Sequence, residues 1–432
     1  MKVSVYTLGC KTNQFESQAL EAMLLERGHR LCSADEPADA LIINTCAVTA
    51  ESAAKSRRAA AKAVKNNPDC IVALCGCWPQ ISPEEAESTG AHLVYGSGDK
   101  SGFLRDLERA FRSGQTGIQI DEPFSRKDFE VLPAGSLSGR TRAMLKIQDG
   151  CQNFCAYCII PYARGAIRSL KMPDAVSEAE RLYAQGIKEL VITGIEISSY
   201  GKDLPDGENL GGLISRIGQA VPDMRLRIGS LEPRIITREF CRLLAGVKNL
   251  CEHFHLSLQS GCDQTLFRMR RRYDTALVKS AIELIREYFP HCGLTADLIV
   301  GFPGETEEEF QKTLDFIKAC AFSSMHIFPY SRRPKTPAYH MKDQVPKAIK
   351  KERCRRAASA AGEMKLSFLR SLVGTVQSVL FESEQDGVSL GHTRSYNLLA
   401  VNGDNLTNLI KKVMVTGVKN GHLFGDLIKE KV

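Results

Sequence analysis

The stretch DGCQNFCAYCIIPYARG, residues 149–165, sets Cys151, Cys155 and Cys158 at C-x3-C-x2-C spacing and supplies no further cysteine or histidine nearby. Thiolates favour zinc, copper(I) and iron–sulfur clusters. A structural zinc site takes four protein ligands, and the lack of a fourth near Cys158 weakens that option. Iron–sulfur clusters are held by cysteine thiolates, so a four-iron cluster with only three keeps one iron open to an outside ligand. An open iron is a position for a small molecule. The short loop keeps such a cluster close to the strand ending at Gln148 and sets Tyr157 beside it.

A second set of cysteines is spread over the first eighty residues. KVSVYTLGC, ADALIINTC and CIVALCGC read as strands separated by helices near 15–26 and 49–65, a parallel, doubly wound α/β pattern. Ligands of open parallel sheets gather beyond the strands' carboxyl ends. These strands end in Cys10, Cys46 and Cys77, so three thiolates are expected at one rim. Cys70 begins a strand and Cys32 approaches one, which removes both from that rim. Parity alone leaves Cys75 ambiguous.

The elements that must position these residues follow from the longer pattern. With 432 residues and 43% hydrophobic content, the chain can bury more than one core. Fifteen cysteines without an export signal point to metal or redox chemistry rather than disulfides. No 18-residue uncharged apolar run occurs, so a soluble, cytoplasmic protein without a membrane partner is expected. An N-terminal α/β domain is expected over 1–115. Residues 116–136, rich in Gly, Ser and charge with little periodicity, read as a linker. Over 137–368, strands at 142–148, 188–194, 225–230, 253–259, 293–301 and 323–331 alternate with helices. Six β/α units suit an incomplete parallel barrel with its chemistry at the strands' C-terminal ends. Thr306 and Glu309 form a capping-box pattern ahead of the last of these helices. From 369 to 432 short alternating strands between Gly and Asn turns suggest a small all-β barrel. Residues 332–370 carry twelve Lys or Arg against three acidic residues, a local charge of +9, largely on a helix. Phosphate attraction would explain that run, and so would a solvated linking helix. The tail, with seven basic and six acidic residues from Leu369 onward, is nearly neutral.

Cys151, Cys155, Tyr157 and Cys158 just after a first barrel strand resemble the signature of radical S-adenosylmethionine (SAM) enzymes. TLGCKTNQFES, INTCAVTAESAAKSR, GCWPQ and DLIVGFPGET extend the likeness to the methylthiotransferases over essentially the whole chain, and the tail resembles a TRAM domain. Within that family the segments are most similar to the bacterial MtaB-type group acting on threonylcarbamoyladenosine in tRNA. The resemblance implies two [4Fe-4S] clusters, one on Cys151, Cys155 and Cys158 and one on Cys10, Cys46 and Cys77, each with an open iron. It implies that SAM chelates the first cluster and is cleaved to a 5′-deoxyadenosyl radical. A methylthio group then replaces hydrogen at C2 of a modified adenosine in the anticodon loop, position 37. That C2–H has no acidic proton for a base, so cofactor radical chemistry suits it. An anticodon-loop base is already partly unstacked, which makes delivery to a pocket cheap. An electron donor and a sulfur source are implied partners.

By the same resemblance Gly194 and Glu196 would meet the SAM ammonium, and Ser257 and Gln259 its ribose or carboxylate. Gly301 and Gly304 of GFPG would allow close backbone approach to the cofactor, as a plain turn would. Family alternatives are methylthiolation of isopentenyladenosine in tRNA or of an aspartate on a ribosomal protein. A different class, an iron–sulfur electron carrier fused to an RNA-binding module, would need clusters but no SAM.

Overall fold

Near-continuous apolar runs such as IVALCG are the mark of parallel strands buried on both faces. In the structure, a computed structural model that describes residues 1–33, 35–135 and 141–428, they build a six-stranded sheet. Its strands are β1 (Lys2–Thr7), β2 (Arg30–Leu31), β3 (Ala40–Thr45), β4 (Ile71–Gly76), β5 (Leu93–Tyr95) and β6 (Gly117–Gln119), all parallel, in the order β2-β1-β3-β4-β5-β6. Helices Lys11–Glu26 and Lys100–Ser113 pack Leu20, Leu24, Phe103 and Leu107 on one face. Helix Ala50–Asn66 packs Ala60 and Ala63 on the other. The strand β6 lies inside the stretch expected as a linker and corrects it there. Its three residues are all exposed, so no burial pattern announced it. The expected boundary at 137 and the last tail residues, 429–432, lie outside the described residues.

The middle of the chain adds β7 (Arg142–Asp149), the antiparallel β8 (Arg168–Ser169), β9 (Glu189–Gly194), β10 (Arg225–Ile228), β11 (Ser230–Leu231), β12 (His253–Gln259), β13 (Gly293–Val300) and β14 (Ser324–Pro329). They form two four-stranded sheets, β10-β9-β7-β8 and β11-β12-β13-β14, whose edges meet at a parallel bridge between Leu226 and Leu250. The six longer parallel strands thus make an open arc, the incomplete barrel expected. One residue parity, including Leu145, Leu190, Leu226, Leu256 and Ala296, joins the apolar core under the outer helices. The other parity faces a lumen, and there the residues are polar. The capping box closes as expected: Thr306 Oγ1 accepts from the Glu309 N–H (3.2 Å), and Glu309 Oε2 accepts from the Thr306 N–H (3.4 Å).

The last strands, β15 (Val376–Gln385), β16 (Val388–Thr393), β17 (Leu398–Asn402), β18 (Ile410–Lys419) and β19 (His422–Leu427), close into a barrel of order β15-β16-β17-β19-β18. Its 393–396 turn seats against the N-terminal ends of the arc. Buried Arg227 pairs with Glu189 (2.7 Å) and donates to the Arg394 carbonyl (3.0 Å), and the Tyr396 ring lies 4.6 Å beneath its guanidinium. The basic helix, Lys347–Ser371, spends part of its charge internally. Arg353 pairs with Glu305 (3.0 Å), and Arg356 pairs with Glu307, while Lys347, Lys351 and Arg370 are exposed. Part of the run is thus paired within the protein and part is open to solvent. Among the described residues no helix is long and apolar enough to cross a membrane.

Candidate active site

The adjacent strands β1, β3 and β4 end at one edge, and each hands a cysteine to it. Cys10 is the N-cap of helix Lys11–Glu26, Cys46 follows β3, and Cys77 opens the helix Cys77–Ile81. Gly9 adopts φ +116°, and a Cβ there would lie 2.8 Å from the Cys46 Cβ, so the Cys10 turn packs directly on Cys46. Burial, then the neighbouring Cys77 and Cys10, push the Cys46 thiol up to about 12. Such thiols stay protonated until a metal displaces the proton. Cys75 packs on the opposite face of the sheet from Cys77, which settles its parity, and Cys32 and Cys70 sit together beside Asp39 away from the rim.

The second rim is at the C-terminal end of β7. Gly150 turns the chain with φ +75°, and Cys151 donates its N–H to the Gly165 carbonyl (3.0 Å). A Cβ on Gly150 would stand 1.8 Å from the Ala166 carbonyl oxygen. Gly150→Ala should therefore destabilise the protein by about 2 kcal/mol or more and lower its iron content, checked by thermal unfolding and iron assay. Cys151, Cys155 and Cys158 act on one another electrostatically, and burial pushes the Cys151 thiol up to about 12. Arg271 donates to Cys155 Sγ (3.1 Å). Tyr157 is half-buried, edge-on to Phe302, with ring centres 6.5 Å apart. Among the described residues no three of His, Cys, Asp or Glu close on a single metal ion. Cysteine thiolates are the ligands of iron–sulfur clusters, and each rim supplies three.

The SAM-side residues are brought to the same end with mixed results. Glu196 lies close enough to raise the Cys151 thiol, but its carboxylate also caps the turn Ile197–Ser199, accepting from the Ser198 N–H (3.1 Å) and the Ser199 hydroxyl. Gly194 closes β9 against the Gln148 carbonyl. Ser257 and Gln259 share the lumen parity of β12, and Gln259 has φ +67° at the strand's end. The GFPG glycines have internal work: the Gly301 N–H goes to Glu305 and the Gly304 N–H to the Asp343 carbonyl (2.9 Å).

Between the two rims lies a fully buried charge network absent from the sequence expectations. Arg164, six residues past Cys158, donates to Cys77 Sγ (3.3 Å), Glu16 Oε2 (3.0 Å), Asn13 Oδ1 (3.4 Å) and Asp149 Oδ2 (3.4 Å). Lys146 joins Glu16 (3.2 Å) to Asp149 (3.1 Å). Burial would raise the Glu16 carboxyl, yet Arg164, Lys100 and Lys146 outweigh it and hold it near 2. One guanidinium thus touches a thiol of one rim from the loop that carries the other. A basic residue after the third cysteine is the only sequence signal that could have found it.

Known proteins resemble this chain. Residues 145–317 match the family model described as Radical SAM superfamily, and residues 2–96 that described as Uncharacterized protein family UPF0004. Threonylcarbamoyladenosine tRNA methylthiotransferase MtaB of Bacillus subtilis is 34% identical over 98% of this chain and 95% of its own length. The chain belongs to the radical SAM methylthiotransferase family. The MtaB of Aquifex aeolicus is 37% identical over 82% of this methylthiotransferase and 86% of its own length. The tRNA-2-methylthio-N(6)-dimethylallyladenosine synthase of Pelotomaculum thermopropionicum is 33% identical over 99% and 97%. Among solved structures, the radical S-adenosylmethionine methyltransferase TsrM from Kitasatospora setae shares the fold, with TM-score 0.59 and 17% identity over 89% of this chain and 79% of that one. The methylthiotransferase is thus an enzyme that uses SAM and [4Fe-4S] clusters to transfer a methylthio group.

Proposed function

We propose that this methylthiotransferase acts on tRNA in the cytoplasm, installing a methylthio group at C2 of N6-threonylcarbamoyladenosine at position 37 of the anticodon loop. The observation that supports it is the pair of three-thiol rims linked by Arg164, which follows the first cysteine loop and donates to Cys77 of the second set. Cys151, Cys155 and Cys158 would hold the cluster that binds SAM, and Cys10, Cys46 and Cys77 the cluster that carries the sulfur. When bound, the first supplies an electron to SAM and the second supplies sulfur. The chain's own part is to place and enclose them. Tyr157, within the first cysteine loop, packs on Phe302, and Gly194, Glu196, Ser257, Gln259 and the turn at Gly301 and Gly304 would meet SAM. The exposed lysines of the 347–371 helix offer phosphate contacts. The domain limits that go with this assignment are 1–115, extended through β6 to 119, then 137–368 and 369–432. Electrons and replacement sulfur come from separate partners.

The dimethylallyladenosine relatives, at nearly equal identity, favour isopentenyladenosine as a second substrate reading. Mass spectrometry of tRNA nucleosides from cells with and without the gene separates the two. Loss of 2-methylthio-threonylcarbamoyladenosine on deletion is expected; its persistence, in cells with no second enzyme making it, refutes the substrate.

A further inference from the structure

Away from both rims, the inner face of β12, β13 and β14 carries a polar wall. His255 Nε2 stands 3.2 Å from Asp297 Oδ2, and His326 Nδ1 stands 3.7 Å from Asp297 Oδ1. The two imidazole rings are 5.6 Å apart. Below them His253 Nε2 shares the Thr295 hydroxyl (3.1 Å) with His255 Nδ1 (2.9 Å), while the buried His253 Nδ1 has no hydrogen-bond partner. The strand β14 is the free end of the arc, so this wall borders the barrel's gap. There the His326 side chain is 63% exposed. The charge of Lys11, next to Cys10, acts weakly on His253 and His326. Partial desolvation, opposed by Asp297 and aided by His255 and Lys11, lowers the basicity of His326.

A ligand here must offer a hydrogen-bond donor to Asp297 and an anion to Lys11. A threonylcarbamoyl group brings a urea N–H, a hydroxyl and a carboxylate. A prenyl group brings none, and pressing it on this wall would strip water from Asp297 and the imidazoles without replacing the lost hydrogen bonds. That difference is how a polar site rejects an apolar rival. We propose that the His255–Asp297–His326 wall, aided by the charge of Lys11, binds the N6 appendage of the substrate nucleoside and selects threonylcarbamoyl over prenyl. The assignment rests on the threonylcarbamoyladenosine reading above.

The test is equilibrium binding of reconstituted enzyme to anticodon stem-loops carrying threonylcarbamoyladenosine, isopentenyladenosine or adenosine. Wild type is expected to favour the first over the other two by at least tenfold, and His326→Leu and Lys11→Met should each reduce that ratio to within about threefold of unity. A ratio is read because a damaged protein weakens all three alike. Should His326→Leu bind no stem-loop, the near-isosteric Asp297→Asn is read in its place. Wild-type preference that survives unchanged in the variants overturns the wall alone. Wild-type preference for the isopentenyl stem-loop overturns the substrate reading and the wall together.

Discussion

Cys158→Ala is expected to abolish both 5′-deoxyadenosine and methylthiolated tRNA, whereas Cys77→Ala should keep SAM cleavage and lose only the methylthio product. The physical basis is that the two rims are built on different sheets. Cys158 lies in the loop after β7, and Cys77 at the end of β4. Losing a thiol from one rim leaves the strand ends of the other intact. Anaerobic turnover with dithionite, reading 5′-deoxyadenosine and modified nucleoside separately, decides the matter. Equal cleavage by both variants would dissolve the division of labour.

Replacing Arg164 by methionine should cost about 3–5 kcal/mol, because it leaves Glu16 and Asp149 buried with less compensation. Lys146 still reaches both carboxylates, at 3.2 and 3.1 Å, which keeps the loss from being larger. Removing Glu16 as well, in Arg164→Met with Glu16→Leu, should recover part of the stability, since an apolar pair of similar volume has no unpaired charge to bury. Urea unfolding of the single and double variants measures the coupling. Purely additive losses would mean that the guanidinium and carboxylate act independently.

What could be read from the sequence was what neighbouring residues encode. The spacing of Cys151, Cys155 and Cys158 is a property of eight consecutive residues, and apolar runs ending in Cys10, Cys46 and Cys77 name their own strand ends. The Thr306–Glu309 cap is equally local. Contacts between distant segments left no such trace. Arg164 and Glu16 are 148 residues apart, and His255, Asp297 and His326 come from three strands, each polar on one face for reasons a single strand does not reveal. Cys75 escaped assignment because parity counts only within a strand, and the left-handed turn at Gly76, φ +104°, resets it before Cys77. The GFPG turn was legible as a turn, but the partners of its Gly301 and Gly304 N–H groups, Glu305 and the Asp343 carbonyl, were not.

The seating of the 393–396 turn on the arc's N-terminal ends makes the chamber a cul-de-sac. A ligand held in the lumen therefore has no exit through the end that the turn covers.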